Sequence, residues 1–172
     1  MDEKRRRFEA LAMPHLDAAT NLARWLTRGG AEADDIVQEA MLRAFRSFEG
    51  FRGEAVRPWL LAIVRNCHRT ALEQNKRHAA IPLGADGEAE IAAGDPTPEA
   101  NAIQIGDGRR LDRAIAALPE DLREALILRE LEEMSYREIA AATGAPIGTV
   151  MSRLARGRAL LRAQLTGGRH GV

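Results

Sequence analysis

Two small all-α bundles joined by an acidic strap are what this sequence predicts, on three observations. Apolar residues recur at helical spacing in two separate blocks, residues 5–78 and 109–165, and no segment alternates with period two over a useful length. Between the blocks, residues 79–108 lose that periodicity and hold Pro82, Pro96 and Pro98 with six acids and no Lys or Arg. Finally, the stretch from Ser135 to Leu165, SYREIAAATGAPIGTVMSRLARGRALLRAQL, reads as two short helices around a tight turn.

In the first block, Phe8, Leu11, His15, Leu16, Ala19, Leu22, Ala23 and Leu26 follow the helical period over residues 5–28, and Gly29-Gly30 ends it. A second helix starts near Asp34, where Asp34 and Asp35 complement the positive end of its dipole. Its buried face is Ile36, Val37, Ala40, Met41, Ala44, Phe45 and Phe48, and it stops before Gly50 and Gly53. On its other side Asp35, Gln38, Glu39, Leu42 and Arg46 form an amphipathic strip. A merely solvated face has much the same composition, but a large apolar residue among charges suits the core of an interface. Pro58 belongs in the first turn of a third helix, whose apolar stripe runs Trp59, Leu60, Ile63, Val64, Cys67 and Ala71. Its polar sides carry Arg65, Asn66, Arg69, Thr70, Lys76 and Arg77. Cations of that kind can track phosphates, and Asn can hydrogen-bond an unstacked base. The first block is therefore expected as a three-helix domain over 5–78.

As a flexible coil, the 30-residue strap over 79–108 spans roughly 30 Å, enough to hold two domains on separated parts of one extended partner. After it, Leu111, Ile115 and Leu118 lead to Pro119, and Leu122, Ala125, Leu126 and Leu131 follow. Ser135 and Glu138 have capping-box spacing, Gly144 sits where the turn needs a positive φ, and Pro146 favours a fresh helix start. Ile147, Val150, Leu154, Leu161 and Leu165 form the expected packed stripe, with Thr149, Ser152, Arg153 and Arg156 on the opposite side. The arrangement is a helix-turn-helix with a cationic face, although a helical hairpin with a solvated basic face shares its periodicity. Charge favours the first reading. Residues 151–172 contain Arg153, Arg156, Arg158, Arg162 and Arg169 and no acid. A solvated face mixes signs, whereas a phosphate-binding face does not.

The overall net charge of zero conceals this pattern. Residues 1–78 carry 14 Lys and Arg against 11 acids, and residues 109–172 carry 11 against 8, so two basic blocks flank the acidic strap. A polyanionic partner is therefore compatible with a pI near 6.9. The opening MDEKRRRFEA lacks an apolar core region, and no run approaches the ~18 residues of a membrane span. A cytosolic protein without membrane insertion is the expectation. Cys67 is the single cysteine, which excludes an internal disulfide and a thiolate zinc cluster, and it is expected in the core, a redox switch being the second reading. The four histidines lack metal-ligand spacing. No nucleophile–base pair, phosphate loop or metal set is visible, so neither an enzyme nor a cofactor is expected.

Taken together, the segments ADDIVQEAMLRAFRSFEGFRG, RPWLLAIVRNCHRTAL and ALPEDLREALILRELEEMSYREIAAATGAPIGTVMSRLARGRALL resemble the extracytoplasmic-function group of bacterial sigma-70 family sigma factors, in order and separation. The resemblance covers about 130 residues, outside the strap and tails. It implies a region 2 domain that binds core RNA polymerase and the −10 element, and a region 4 domain that binds the −35 element. It also implies that the strip from Asp35 to Arg46 docks on a coiled coil of the polymerase clamp. Asn66 would hold a flipped −10 base beside Arg65, Arg69, Thr70 and Arg77, and Phe51 would either stack there or anchor the core. Thr149, Ser152, Arg153 and Arg156 would contact −35 DNA, while Arg158 and Arg162 would meet phosphate or stay solvated. An anti-sigma factor is the further partner the resemblance implies. Two departures stand out. Met151 occupies a site often Arg in the family, so a polar contact is lost or replaced by apolar contact with a thymine methyl. Gly157 replaces a usual Ala, at about 1 kcal/mol to the helix.

Two other functions fit parts of the chain. A sigma mimic that titrates an anti-sigma factor has no need of Asn66, Arg69, Arg153 and Arg156, all of which are present. A stand-alone repressor using only the helix-turn-helix leaves the amphipathic strip unexplained and lacks a recognisable dimer interface.

Overall fold

The computed structural model describes residues 2–53, 55–80 and 102–167, of which residues 102–105 and 107 are described by their backbone alone. Among them are eight α-helices and no strand. The chain divides into two compact units, residues 1–94 and 95–172. Residues 81–101, most of the expected strap, lie outside the described residues, as does Arg169.

The first unit holds α1 (Asp2–Ala12), α2 (Leu16–Leu26), α3 (Glu32–Ser47) and α4 (Val56–Ala79). The single helix expected over 5–28 is in fact two, separated by a 3₁₀ turn over Met13–His15. Pro14 is the cause. It has no N–H to donate, and its ring disfavours helical geometry at the preceding residue. Because α1 leaves on a new axis, Leu11 is exposed rather than part of the apolar stripe. Gly29, at φ +77°, closes α2 by donating to the Arg24 carbonyl at 2.7 Å. Glu32, Asp34 and Asp35 then open α3, which starts two residues earlier than Asp34.

Helix α4 lies against α1, α2 and α3, so its buried face is broader than one stripe. Leu60, Leu61, Val64, Cys67 and His68 are all buried along it. Phe8 caps the core edge-on to Phe45 and Phe48, with ring centroids 5.3 Å away in both cases. Trp59 is half-buried and leans on Phe51 at 4.6 Å. Cys67 is in the core, as its position in the stripe indicates. Burial pushes its thiol above the ordinary range, partly offset by the nearby Arg43 guanidinium.

The second unit holds α5 (Ala102–Ala116), α6 (Glu120–Leu126), α7 (Tyr136–Thr143) and α8 (Ile147–Gly167). Helix α5 begins seven residues ahead of the expected boundary at 109, where Gly106 and Gly108 obscure the helical pattern. A π turn over Ile127–Leu131 continues α6, and Glu132 N–H reaches back five residues to the Ile127 carbonyl at 3.1 Å. The wider turn changes which side chains face inward. Ile127 and Leu128 are buried, while Leu131, expected in the core, is exposed. Leu111 and Ile147 are likewise exposed rather than packed.

Helix α8 packs on α6, α7 and α5, with Val150, Leu154 and Gly157 buried along its inner face. Gly157 has a packing reason. A Cβ there would stand 2.9 Å from Leu126 Cδ1 and 3.5 Å from the Leu122 carbonyl oxygen. The propensity lost to glycine is exchanged for close helix approach. Gly157→Val is expected to destabilise the second unit by about 2 kcal/mol through overpacking, measured by urea unfolding of the full chain. An unchanged midpoint would contradict this account of the contact.

Candidate nucleic-acid interface

The helix-turn-helix is built by local chemistry. Ser135 Oγ accepts from Glu138 N–H at 3.1 Å, and Ser135 N–H donates to the Glu138 carboxylate at 2.7 Å, completing the capping box at the start of α7. Gly144 ends α7 in the left-handed region at φ +70°. Two residues later Pro146 precedes α8, and its carbonyl accepts from Val150 N–H at 3.1 Å. Before the motif, Arg129 donates to the Met134 carbonyl at 2.9 Å and lies 5.0 Å over the Tyr136 ring, fixing where α7 begins. At the far end Arg110 of α5 donates to the Leu165 carbonyl at 2.6 Å, a favourable place for a cation.

Facing residues on α8 sort into three groups. Ser152 and Arg156 are exposed, one turn apart, on the side away from the Val150–Leu154–Gly157 seam. Thr149 and Arg153 are half-buried on a flank where Arg153 Nη2 lies 3.6 Å from the Asp121 carboxylate of α6. Arg158 takes the other flank. Its Nε and Nη2 both donate to Glu130 Oε1, at 2.9 and 2.6 Å, and this contact holds its guanidinium above the usual range. That ion pair joins residues 28 apart and was not visible from spacing alone. Met151 stands exposed beside Ser152.

In the first unit, Arg65, Asn66, Arg69, Thr70 and Arg77 all stand on α4. Asn66 is exposed, its side-chain oxygen accepts from Arg65 Nη1 at 3.3 Å, and its carbonyl accepts from Thr70 at 2.9 Å. Arg77 is exposed in the last turn, next to Lys76. Phe51 precedes α4 as a half-buried anchor between Trp59 and Phe48. A Cβ on Gly53 would reach its ring at 2.8 Å, so glycine leaves that ring its place.

On α3, Asp35, Gln38, Leu42 and Arg46 are exposed, with Leu42 at 52%. Glu39 is half-buried and accepts from Arg43 Nε at 2.6 Å. Gln38 and Leu42 also border an apolar groove of about 610 Å³ whose walls include Phe8, Met13, Leu16 and Met41. The sequence reading missed Met13, which is exposed because of the break at Pro14. Behind α3, a polar cavity of about 400 Å³ between α3 and α4 reaches Cys67. No group of His, Cys, Asp and Glu among the described residues is arranged to hold a metal ion. No helix among them is long and apolar enough to cross a membrane.

Two helical units, the second with a capped helix-turn-helix and an acid-free α8, define a protein of the sigma-70 class. Residues 11–78 match the family described as sigma-70 region 2, and residues 108–161 match sigma-70 region 4. The chain is 33% identical over 161 residues to the RNA polymerase sigma-H factor of Pseudomonas aeruginosa, covering 90% of this chain and 83% of that one. It is 35% identical over 147 residues to the ECF RNA polymerase sigma-E factor of Escherichia coli, covering 81% and 76% respectively. Against the ECF sigma factor SigE of Mycolicibacterium smegmatis it is 33% identical over 158 residues, 92% of this chain but only 61% of the relative's length. Its fold is similar to that of the sigma factor RpoE in complex with the anti-sigma factor NepR from Bartonella quintana, with TM-score 0.73, 25% identity and coverage of 93% and 97%. CnrH in complex with the cytosolic domain of CnrY is similar at TM-score 0.67 and 25% identity, with 95% and 90% covered. The chain belongs to the sigma-70 family, in its ECF group of RNA polymerase sigma factors.

The Arg158–Glu130 pair makes a distinguishing prediction for DNA binding. Glu130→Ala frees a cation and should steepen the salt dependence by about one ion, the equivalent of one phosphate contact. Arg158→Ala should leave that slope unchanged. A slope that falls by about one ion in Arg158→Ala would mean that Arg158 already meets phosphate.

Proposed function

We propose that this chain confers promoter specificity on core RNA polymerase by reading two DNA elements with its two units. The unit of α1 to α4, which holds residues 5–78, serves as the module for polymerase and the −10 element, the unit of α5 to α8, which holds residues 109–165, as the −35 module, and the segment between α4 and α5 as the strap between them. The observation that carries the reading is α8, where Ser152 and Arg156 face outward on a helix with no Asp or Glu along its length. Arg156 is the bidentate reader of guanine, Ser152 reads beside it, and Thr149 and Arg153 meet the backbone on one flank. Arg158, engaged by Glu130, positions the helix and is not itself a DNA contact.

Helix α4 acts on the exposed −10 strand. Asn66 hydrogen-bonds an extruded base, and Arg65, Arg69, Thr70 and Arg77 track its backbone. Unstacking costs a few kcal/mol, which binding energy supplies without a nucleotide-hydrolysing step. Asp35, Gln38, Glu39, Leu42 and Arg46 dock on the polymerase, Leu42 supplying the apolar centre. The chain acts in the cytoplasm with the polymerase, has no catalytic role and takes no cofactor. An anti-sigma factor is its expected regulator, since RpoE and CnrH are each seen in complex with a partner protein.

Run-off transcription with core polymerase over a promoter library tests the whole reading. Failure to initiate from any template overturns it. Arg156→Ala is expected to weaken −35-dependent binding about tenfold, and unchanged promoter selection refutes its role. Asp35→Ala combined with Leu42→Ala should lower polymerase capture in a pull-down without changing the unfolding midpoint. Wild-type capture counts against the docking strip.

A further inference from the structure

Ile147, Met151 and Ala155 stand at i, i+4 and i+8 of α8, so they form one row along the helix surface. All three are exposed, Ile147 at 42% and Met151 at 52%. A single exposed apolar side chain is ordinary. A continuous row beside the outward polar residues of a reading helix is a different case. Ser152 stands three residues before Ala155 and four before Arg156, so the polar row adjoins the apolar one through the Ser152–Ala155 pair. No acid interrupts α8; Arg158, three residues beyond Ala155, stands against the row with its charge engaged by Glu130, and Arg156 and Arg162 add cations that have no ion pair among the described residues. The surface is thus complementary to a polyanion, which sets DNA as the occupant.

The major groove presents one prominent apolar group, the C5 methyl of thymine. Met is unbranched and polarizable and adapts its shape to such a contact. We propose that Met151, backed by Ile147, reads the thymine methyl group in the −35 element, and that thymine is specified next to the bases read by Ser152 and Arg156. The inference rests on α8 being the −35 helix.

The test uses holoenzyme assembled from the full chain and core polymerase. Its −35 preference is first selected from a random template pool, and each thymine of the selected element is then replaced by deoxyuridine, which removes only the methyl group. At one or two positions binding should weaken about fourfold, the effect of returning one buried methyl to water. Met151→Ala, a change at an exposed site, should bind the thymine and deoxyuridine templates alike. Equal binding of both templates by the unaltered chain overturns the proposal. So does undiminished methyl sensitivity in Met151→Ala, or a selected element without thymine. A pool that yields no −35 preference at all overturns instead the reading of α8 on which the proposal depends.

Discussion

The seam between α8 and α6 is the constraint on which the reading surface depends. Val150, Leu154 and Gly157 form the buried face of α8, and the missing side chain at Gly157 lets Leu126 of α6 come within 2.9 Å of the place a Cβ would take. Helical geometry does the rest. Once that face is fixed inward, Ser152, Arg156 and Met151 have only solvent to face. Which side chains stand outside is thus set by close packing on the inside, where a change of one methyl group is felt.

Charge on this surface is more economical than a residue count implies. Of the four described arginines of α8, Arg153 lies near Asp121 and Arg158 is held by Glu130. Arg156 and Arg162 have no ion pair among the described residues. Partly exposed pairs like these contribute little stability. Their effect is on orientation and on the number of cations free to displace counterions.

Much of this organisation was legible in the sequence because its signals are local. Ser135 with Glu138, Gly144 and Pro146 each act within a few residues, and each does what its chemistry requires. The acids opening α3 and the buried Cys67 on α4 followed from dipole and periodicity. What escaped arose from interrupted or distant geometry. Pro14 was a local signal, yet the apolar period across it continued well enough to hide the break. The π turn leaves no clear mark in composition and turned Leu131 outward. The Arg158–Glu130 pair bridges two elements, so no spacing rule could anticipate it. Among the candidate residues, position on a helix face was readable, but not which cations an acid would engage.

One further consequence follows from the way α3 and α4 enclose the single thiol. Buried between them and kept in its protonated form, Cys67 is a poor nucleophile while the helices stay together. Alkaline conditions add to this contrast. An unfolded chain ionises its thiol first, so this group's contribution to stability is intact below the ordinary thiol range and declines as pH rises through and above it. The molecule carries its own chemical gauge: because the cavity between the two helices reaches that sulfur, the rate at which a small electrophile modifies it reports how open that cavity is and how readily the thiol ionises.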